Sequence, residues 1–106
     1  MLSFFKQLFD PADSDVDFEQ LIENDAIVID VRTSQEFKSG HLKESINIPL
    51  QQLAGRLDDI DKDKPIILCC ATGSRSNSAK KALKTNGFSE VYNGGSWASL
   101  QEKIYT

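Results

Sequence analysis

The sequence predicts an α/β domain with a mainly parallel sheet covered by helices on both faces. Three observations predict it. Two short runs, Ala26–Val31 (AIVIDV) and Pro65–Cys69 (PIILC), are almost continuously apolar, the pattern of strands buried on both sides. Strand and helix signals alternate along the chain. Finally, 106 residues with 40% apolar and 26% charged content are enough for one modest core and too few for two.

Taken in order, Met1–Phe9 is apolar at helical spacing and predicts a packing helix over 1–10. It lacks a basic start and a small-residue cleavage site, so it does not read as a signal peptide; a weak membrane or partner contact is the alternative. Asp17 can cap a short helix running to Glu23, with Gln20 three residues on. The strand Ala26–Val31 follows, and Thr33-Ser34-Gln35-Glu36 is a capping box for a helix that Gly40 closes. Ser45–Ile48 is a short strand stopped by Pro49, and Gln51–Leu57 a short helix with Leu53 and Leu57 on one side. The acidic stretch Asp58–Asp63 reads as a solvated loop before the strand Pro65–Cys69. A helix over Ser76–Asn86 places Ala79, Ala82 and Leu83 inward and Lys80, Lys81 and Lys84 outward, near its negative end. Asn86-Gly87 ends it. Val91-Tyr92 is a last short strand, and Ser96 opens a helix reaching about Ile104.

The segment carrying the most chemistry is Ile66-Ile67-Leu68-Cys69-Cys70 followed by Ala71-Thr72-Gly73-Ser74-Arg75-Ser76. It sets a thiol at the carboxyl end of a buried strand, where ligands of parallel sheets bind. A glycine-containing turn and a helix start come next. Unpaired N–H groups there favour negative charge, and a tight turn can aim several of them at one centre. Such surroundings lower a thiol's pKa and expose the thiolate as nucleophile. Arg75 adds a planar fork of donors. The plain alternative makes Cys69 and Cys70 small core hydrophobes, but buried structural cysteines do not require this turn.

Net charge is −4 with no basic tract, which argues against a nucleic-acid partner. No apolar stretch reaches the length of a membrane span. Two adjacent cysteines make no disulfide framework, which points to a reducing, cytoplasmic setting. One histidine and two adjacent cysteines are no metal-ligand set, and no cofactor is expected.

Ile29-Asp30-Val31-Arg32, Glu36-Phe37, Gly40-His41-Leu42, Ile46-Asn47-Ile48-Pro49, Cys70-x-x-Gly73-x-Arg75-Ser76 and Gly94-Gly95 occur in an order and spacing that resemble small single-domain rhodanese-like proteins. The resemblance covers roughly residues 14–100, so 1–106 is read as one rhodanese-like domain with an N-terminal apolar helix. It implies about five parallel strands flanked by helices. It also implies that Cys70 carries sulfane sulfur as a persulfide, with main-chain N–H groups of Ala71, Thr72, Gly73, Ser74, Arg75 and Ser76 as the anion-binding cradle. The reaction implied is thiosulfate sulfurtransferase chemistry. Its partners are a small anionic sulfur donor and a thiol acceptor, with a protein sulfur donor or acceptor as a further class. Trp97 follows Gly94-Gly95 more closely than the family's usual tryptophan, which leaves the register of the last helix open.

Two rival functions remain at this stage. Counted from Cys69, Arg75 completes C-x5-R followed by serine, the pattern of cysteine phosphatases and arsenate reductases; counted from Cys70 it gives C-x4-R. Gly73 falls three after Cys70, which favours the shorter loop. The other rival is a sulfur-carrier or binding module that does not turn over. His41 is expected to serve a structural turn, and Asp30 and Arg32 to anchor backbone or pair with Glu36. Trp97 and Phe88 are expected to pack in the core or at the rim of the site.

Overall fold

A computed structural model describes residues 12–13 and 15–105; the expected helix over 1–10 lies outside them. The sheet contains β1 (Ile27–Asp30), β2 (Ile46–Asn47), β3 (Ile66–Cys70) and β4 (Val91–Ser96). All pairings are parallel, in the order β2-β1-β3-β4. The described residues thus form four strands, where the resemblance implied about five. Four is also the number of strand signals in the chain itself. Beyond β4, Asp13 N donates to Asn93 O at 2.9 Å.

Successive residues of a strand face opposite sides, and β3 shows the consequence. Ile66, Leu68 and Cys70 enter one apolar cluster with Ile29, Ala79 and Leu83, whereas Ile67 and Cys69 enter the other with Phe18, Leu42 and Leu100. Helices therefore cover both faces. The first core lies under α3 (Ser74–Thr85) and two 3-10 segments, and the second under α1 (Phe18–Glu23) and α4 (Trp97–Tyr105).

Local sequence accounts for the helix starts. The Asp17 carboxylate accepts from Gln20 N to cap α1. Thr33 and Glu36 form the reciprocal capping box of α2 (Ser34–Ser39). Ser96 Oγ accepts from Ser99 N at the start of α4, which fixes the register that Trp97 left open.

Four expectations need correction. The segment expected as a helix over 51–57 is two 3-10 turns, Leu50–Gly55 and Leu57–Asp59. Its bonds run from i+3 to i (Gln52 N to Pro49 O at 2.8 Å), enough to seat Leu53 and Ile60 in the core without a longer helix. α3 starts at Ser74, not Ser76, so Ser74 and Arg75 belong to its first turn and the loop proper is Ala71–Gly73. Its buried face is Ser76, Ala79 and Leu83; Ala82 is exposed, about 100° around the helix from Leu83. Finally, β4 runs on past the expected Val91-Tyr92 through Asn93-Gly94-Gly95 to Ser96. Gly94 lies so deep that an added Cβ would stand 2.9 Å from Leu100 Cδ2 and 3.1 Å from Ile67 Cγ2.

Among the described residues, no helix is long and apolar enough to cross a membrane.

Candidate active site

The end of β3 delivers Cys70 to the mouth of a turn that leads at once into α3. Gly73 takes φ 97°, a left-handed conformation that costs glycine least. This turns its N–H back onto Cys70 Sγ at 2.9 Å, and Ser76 N reaches the same sulfur at 3.4 Å from the first turn of the helix. Both belong to the start of a helix, where N–H groups have no partner within the helix. The Ser76 hydroxyl also lies 3.4 Å from the sulfur. Cys70 itself is fully buried, whereas Ala71, Thr72 and Ser74 are exposed.

Burial alone would push the Cys70 thiol up. The Ser76 hydroxyl and the main-chain N–H groups of Ser76, Thr72 and Gly73 together outweigh it, leaving the thiol below its ordinary value. Cys69 shows the opposite balance. On the other face of the sheet, burial and then the neighbouring Asp30 carboxylate push its thiol far up. Two adjacent buried cysteines thus differ in acidity: the Cys69 thiol is pushed up and the Cys70 thiol is lowered.

Of the six residues expected to form the cradle, Gly73 and Ser76 bond the sulfur through their N–H groups, and the Thr72 N–H lowers its pKa. Ala71 and Ser74 share the turn and the helix start without bonding the sulfur among the described contacts. Arg75 points elsewhere: its guanidinium makes two parallel bonds to the Glu36 carboxylate, at 2.8 and 2.9 Å. That pair, and then the Thr33 N–H, holds the Glu36 carboxyl down to about 2. Arg75 also borders a shallow open depression lined by Val31, Thr33, Pro49, Leu50 and Gln51.

The neighbouring motif residues are architectural. Arg32 binds the Asp30 carboxylate at 2.7–3.0 Å and donates to Gly40 O at 2.7 Å, with its guanidinium over the Trp97 ring. Its contact with Glu36 is to the carbonyl, not the carboxylate. Asn47 donates to the carbonyls of Asp30 and Arg32, fixing the end of β1. His41 is exposed, stacks on Phe37 and contacts the Phe37 carbonyl through Nδ1 at 2.7 Å, as a structural turn should. Phe88 is a core residue. Lys81 and Lys84 are exposed as expected, but Lys80 is half-buried against the Asp13 carboxylate.

Sequence reasoning took Ser76 for its N–H alone and missed its hydroxyl, and it missed Asn93 altogether. The Ser76 hydroxyl lies 2.6 Å from Asn93 Oδ1, and Asn93 Nδ2 donates to Gly73 O at 3.1 Å. The available signal was an asparagine inside a buried strand, a position that requires partners.

Comparison with known proteins agrees with this architecture. The Rhodanese-like domain family model matches residues 14–102. The Bacillus subtilis protein YqhL is 46% identical over 68 residues, which are 64% of this chain and 54% of that protein, so the match spans about half of YqhL. The thiosulfate sulfurtransferase GlpE of Pseudomonas syringae is 36% identical over 74 residues, 70% of each protein. Among solved structures, the rhodanese-related protein of Thermoplasma volcanium superimposes with a TM-score of 0.70 at 31% identity, covering 82% of this chain and 86% of that one. With the thiol, turn and helix start arranged as described, the chain belongs to the rhodanese-like domain family.

Proposed function

We propose that this chain is a sulfurtransferase that moves sulfane sulfur from thiosulfate or a similar donor to a thiophilic acceptor through a persulfide on Cys70. The observation that carries the reading is the Cys70 sulfur at the focus of N–H groups at a helix start, with its pKa lowered despite complete burial. The similarity to GlpE thiosulfate sulfurtransferase supports the choice of reaction.

In the first step the Cys70 thiolate attacks the outer sulfur of thiosulfate. A Cys70 S–S bond forms, and sulfite leaves with the electron pair of the bond that breaks. In the second, an acceptor such as cyanide or a thiolate attacks the terminal sulfur, and Cys70 departs as thiolate. No proton transfer is needed in either step once the thiolate is formed, and the cradle favours that form. The sulfur is closed to solvent in this conformation, beside the exposed turn at Ala71 and Thr72. The chemistry suits a reducing compartment such as the cytoplasm.

The phosphatase or arsenate reductase reading would make Cys69 the nucleophile, and the surroundings of Cys69 oppose it. The carrier reading draws support from the enclosed sulfur and from the Arg75 fork, which Glu36 already engages. It would show as stable sulfur loading with slow turnover on free thiosulfate.

Thiocyanate formation from thiosulfate and cyanide tests the assignment in two single variants. Cys70→Ser should reduce the rate to background, and Cys69→Ser should retain most of it. The reverse pattern would overturn the assignment.

A further inference from the structure

The Ser76 hydroxyl has one proton and three acceptors within reach: Asn93 Oδ1 at 2.6 Å, Gly73 O at 3.0 Å and Cys70 Sγ at 3.4 Å. It is fully buried, so no solvent completes its bonding. Each competing acceptor has a second donor. Gly73 O receives Asn77 N at 3.0 Å and Asn93 Nδ2 at 3.1 Å, and Asn93 Oδ1 receives Gly95 N at 2.9 Å. The hydroxyl can therefore turn from either oxygen to the sulfur without leaving a buried acceptor bare, which is the costly outcome in an interior.

We propose that Asn93 is a positioning residue for Cys70, acting through the Ser76 hydroxyl as a rotating proton donor that follows the charge on the sulfur. When Cys70 is a thiol, its S–H donates to Ser76 Oγ, and the Ser76 O–H donates to Asn93 Oδ1. When the proton leaves the sulfur, the O–H rotates about the Cβ–Oγ bond and donates to the thiolate, joining the Gly73 and Ser76 N–H groups. Asn93 Nδ2 donates to the Gly73 carbonyl, which braces the left-handed turn. Without Asn93 the Ser76 side chain would lose the 2.6 Å contact that holds its oxygen beside the sulfur. Asn93 is in turn fixed from outside, since its main-chain N–H donates to the Asp13 carboxylate that Lys80 neutralises. The other charged or titratable groups coupled to the sulfur are Arg75 in the first turn of α3 and Cys69 in β3.

This inference deepens the sulfurtransferase reading, yet its test reads only the thiolate. The rate of iodoacetamide alkylation of Cys70 is followed against pH in a Cys69→Ser background, with the thermal midpoint recorded for each variant. Ser76→Ala and Asn93→Ala should each lower the acidity of Cys70 by about tenfold, one pKa unit. The double variant should shift it little further, because both changes remove the same proton. Ser76→Thr, which keeps the hydroxyl, should restore most of the acidity. If Asn93→Ala does not fold, Asn93→Ser takes its place with the same expectation. Unchanged alkylation profiles in folded Asn93 variants, or an Asn93 effect equally large without the Ser76 hydroxyl, would overturn the proposal. Either result would leave sulfur transfer by Cys70 untouched, and a chain that formed no persulfide would still give a clear answer here.

Discussion

Single residues decide the chemistry of this domain. Gly73 alone occupies the left-handed conformation that aims a main-chain N–H at the thiol, 2.9 Å away. A side chain there is strained, so Gly73→Ala should cost about 1–3 kcal/mol of stability and move the alkylation midpoint of Cys70 to higher pH. A stable variant with an unchanged midpoint would show that the turn does not tune the sulfur. Glu36 allows a separate test, because Arg75 and Thr33 hold its carboxyl down to about 2. A carboxylate with a depressed folded-state pKa stabilises the fold above its ordinary value of 4.5 and loses that effect as pH falls toward 2. The thermal midpoints of wild type and Glu36→Gln should therefore differ above pH 4.5 and converge below it. A gap that stays constant through this range would contradict the assignment.

At the scale of elements, caps and buried strands were legible and backbone irregularities were not. Asp17 and the Thr33–Glu36 box announced α1 and α2 because capping is written in a few adjacent side chains. β1 and β3 announced themselves because both faces are covered. The 3-10 turns after Pro49 escaped notice because i+3 and i+4 bonding place Leu53 on the core alike. The length of β4 was not legible because Asn93-Gly94-Gly95 carries no apolar strand signal, and what keeps it in the sheet is the close approach of Leu100 and Ile67. That approach makes its own prediction. Gly94→Ala should overpack the core under α4 and cost about 1–3 kcal/mol, measured by denaturant unfolding. A neutral result would mean that α4 does not seat against β4 as described.

For the whole molecule, charge sets how a donor arrives. The chain carries −4 overall, and Arg32, Arg75 and Lys80 are each paired with a carboxylate. Under the proposed function an anionic donor meets mild repulsion at long range and is attracted by the amide cradle. Raising ionic strength should leave kcat/KM for thiosulfate unchanged or increase it. A steep fall with salt would reveal an attracting cation that the paired arrangement does not provide. The cradle was legible in the sequence to the extent that local chain order determines it, as Cys70, Gly73 and Ser76 show. Asn93 was hidden because it approaches from β4, 20 residues beyond the Gly73 it holds.

The central claim is that the sulfur of Cys70, and not that of Cys69, receives the transferred sulfur atom. Mass measurement of the intact chain after thiosulfate treatment, followed by peptide mapping, tests it most directly. One sulfur atom should be gained on Cys70, removed by cyanide or dithiothreitol and absent from Cys70→Ser. A gain located on Cys69, or one that persists in Cys70→Ser, would contradict it.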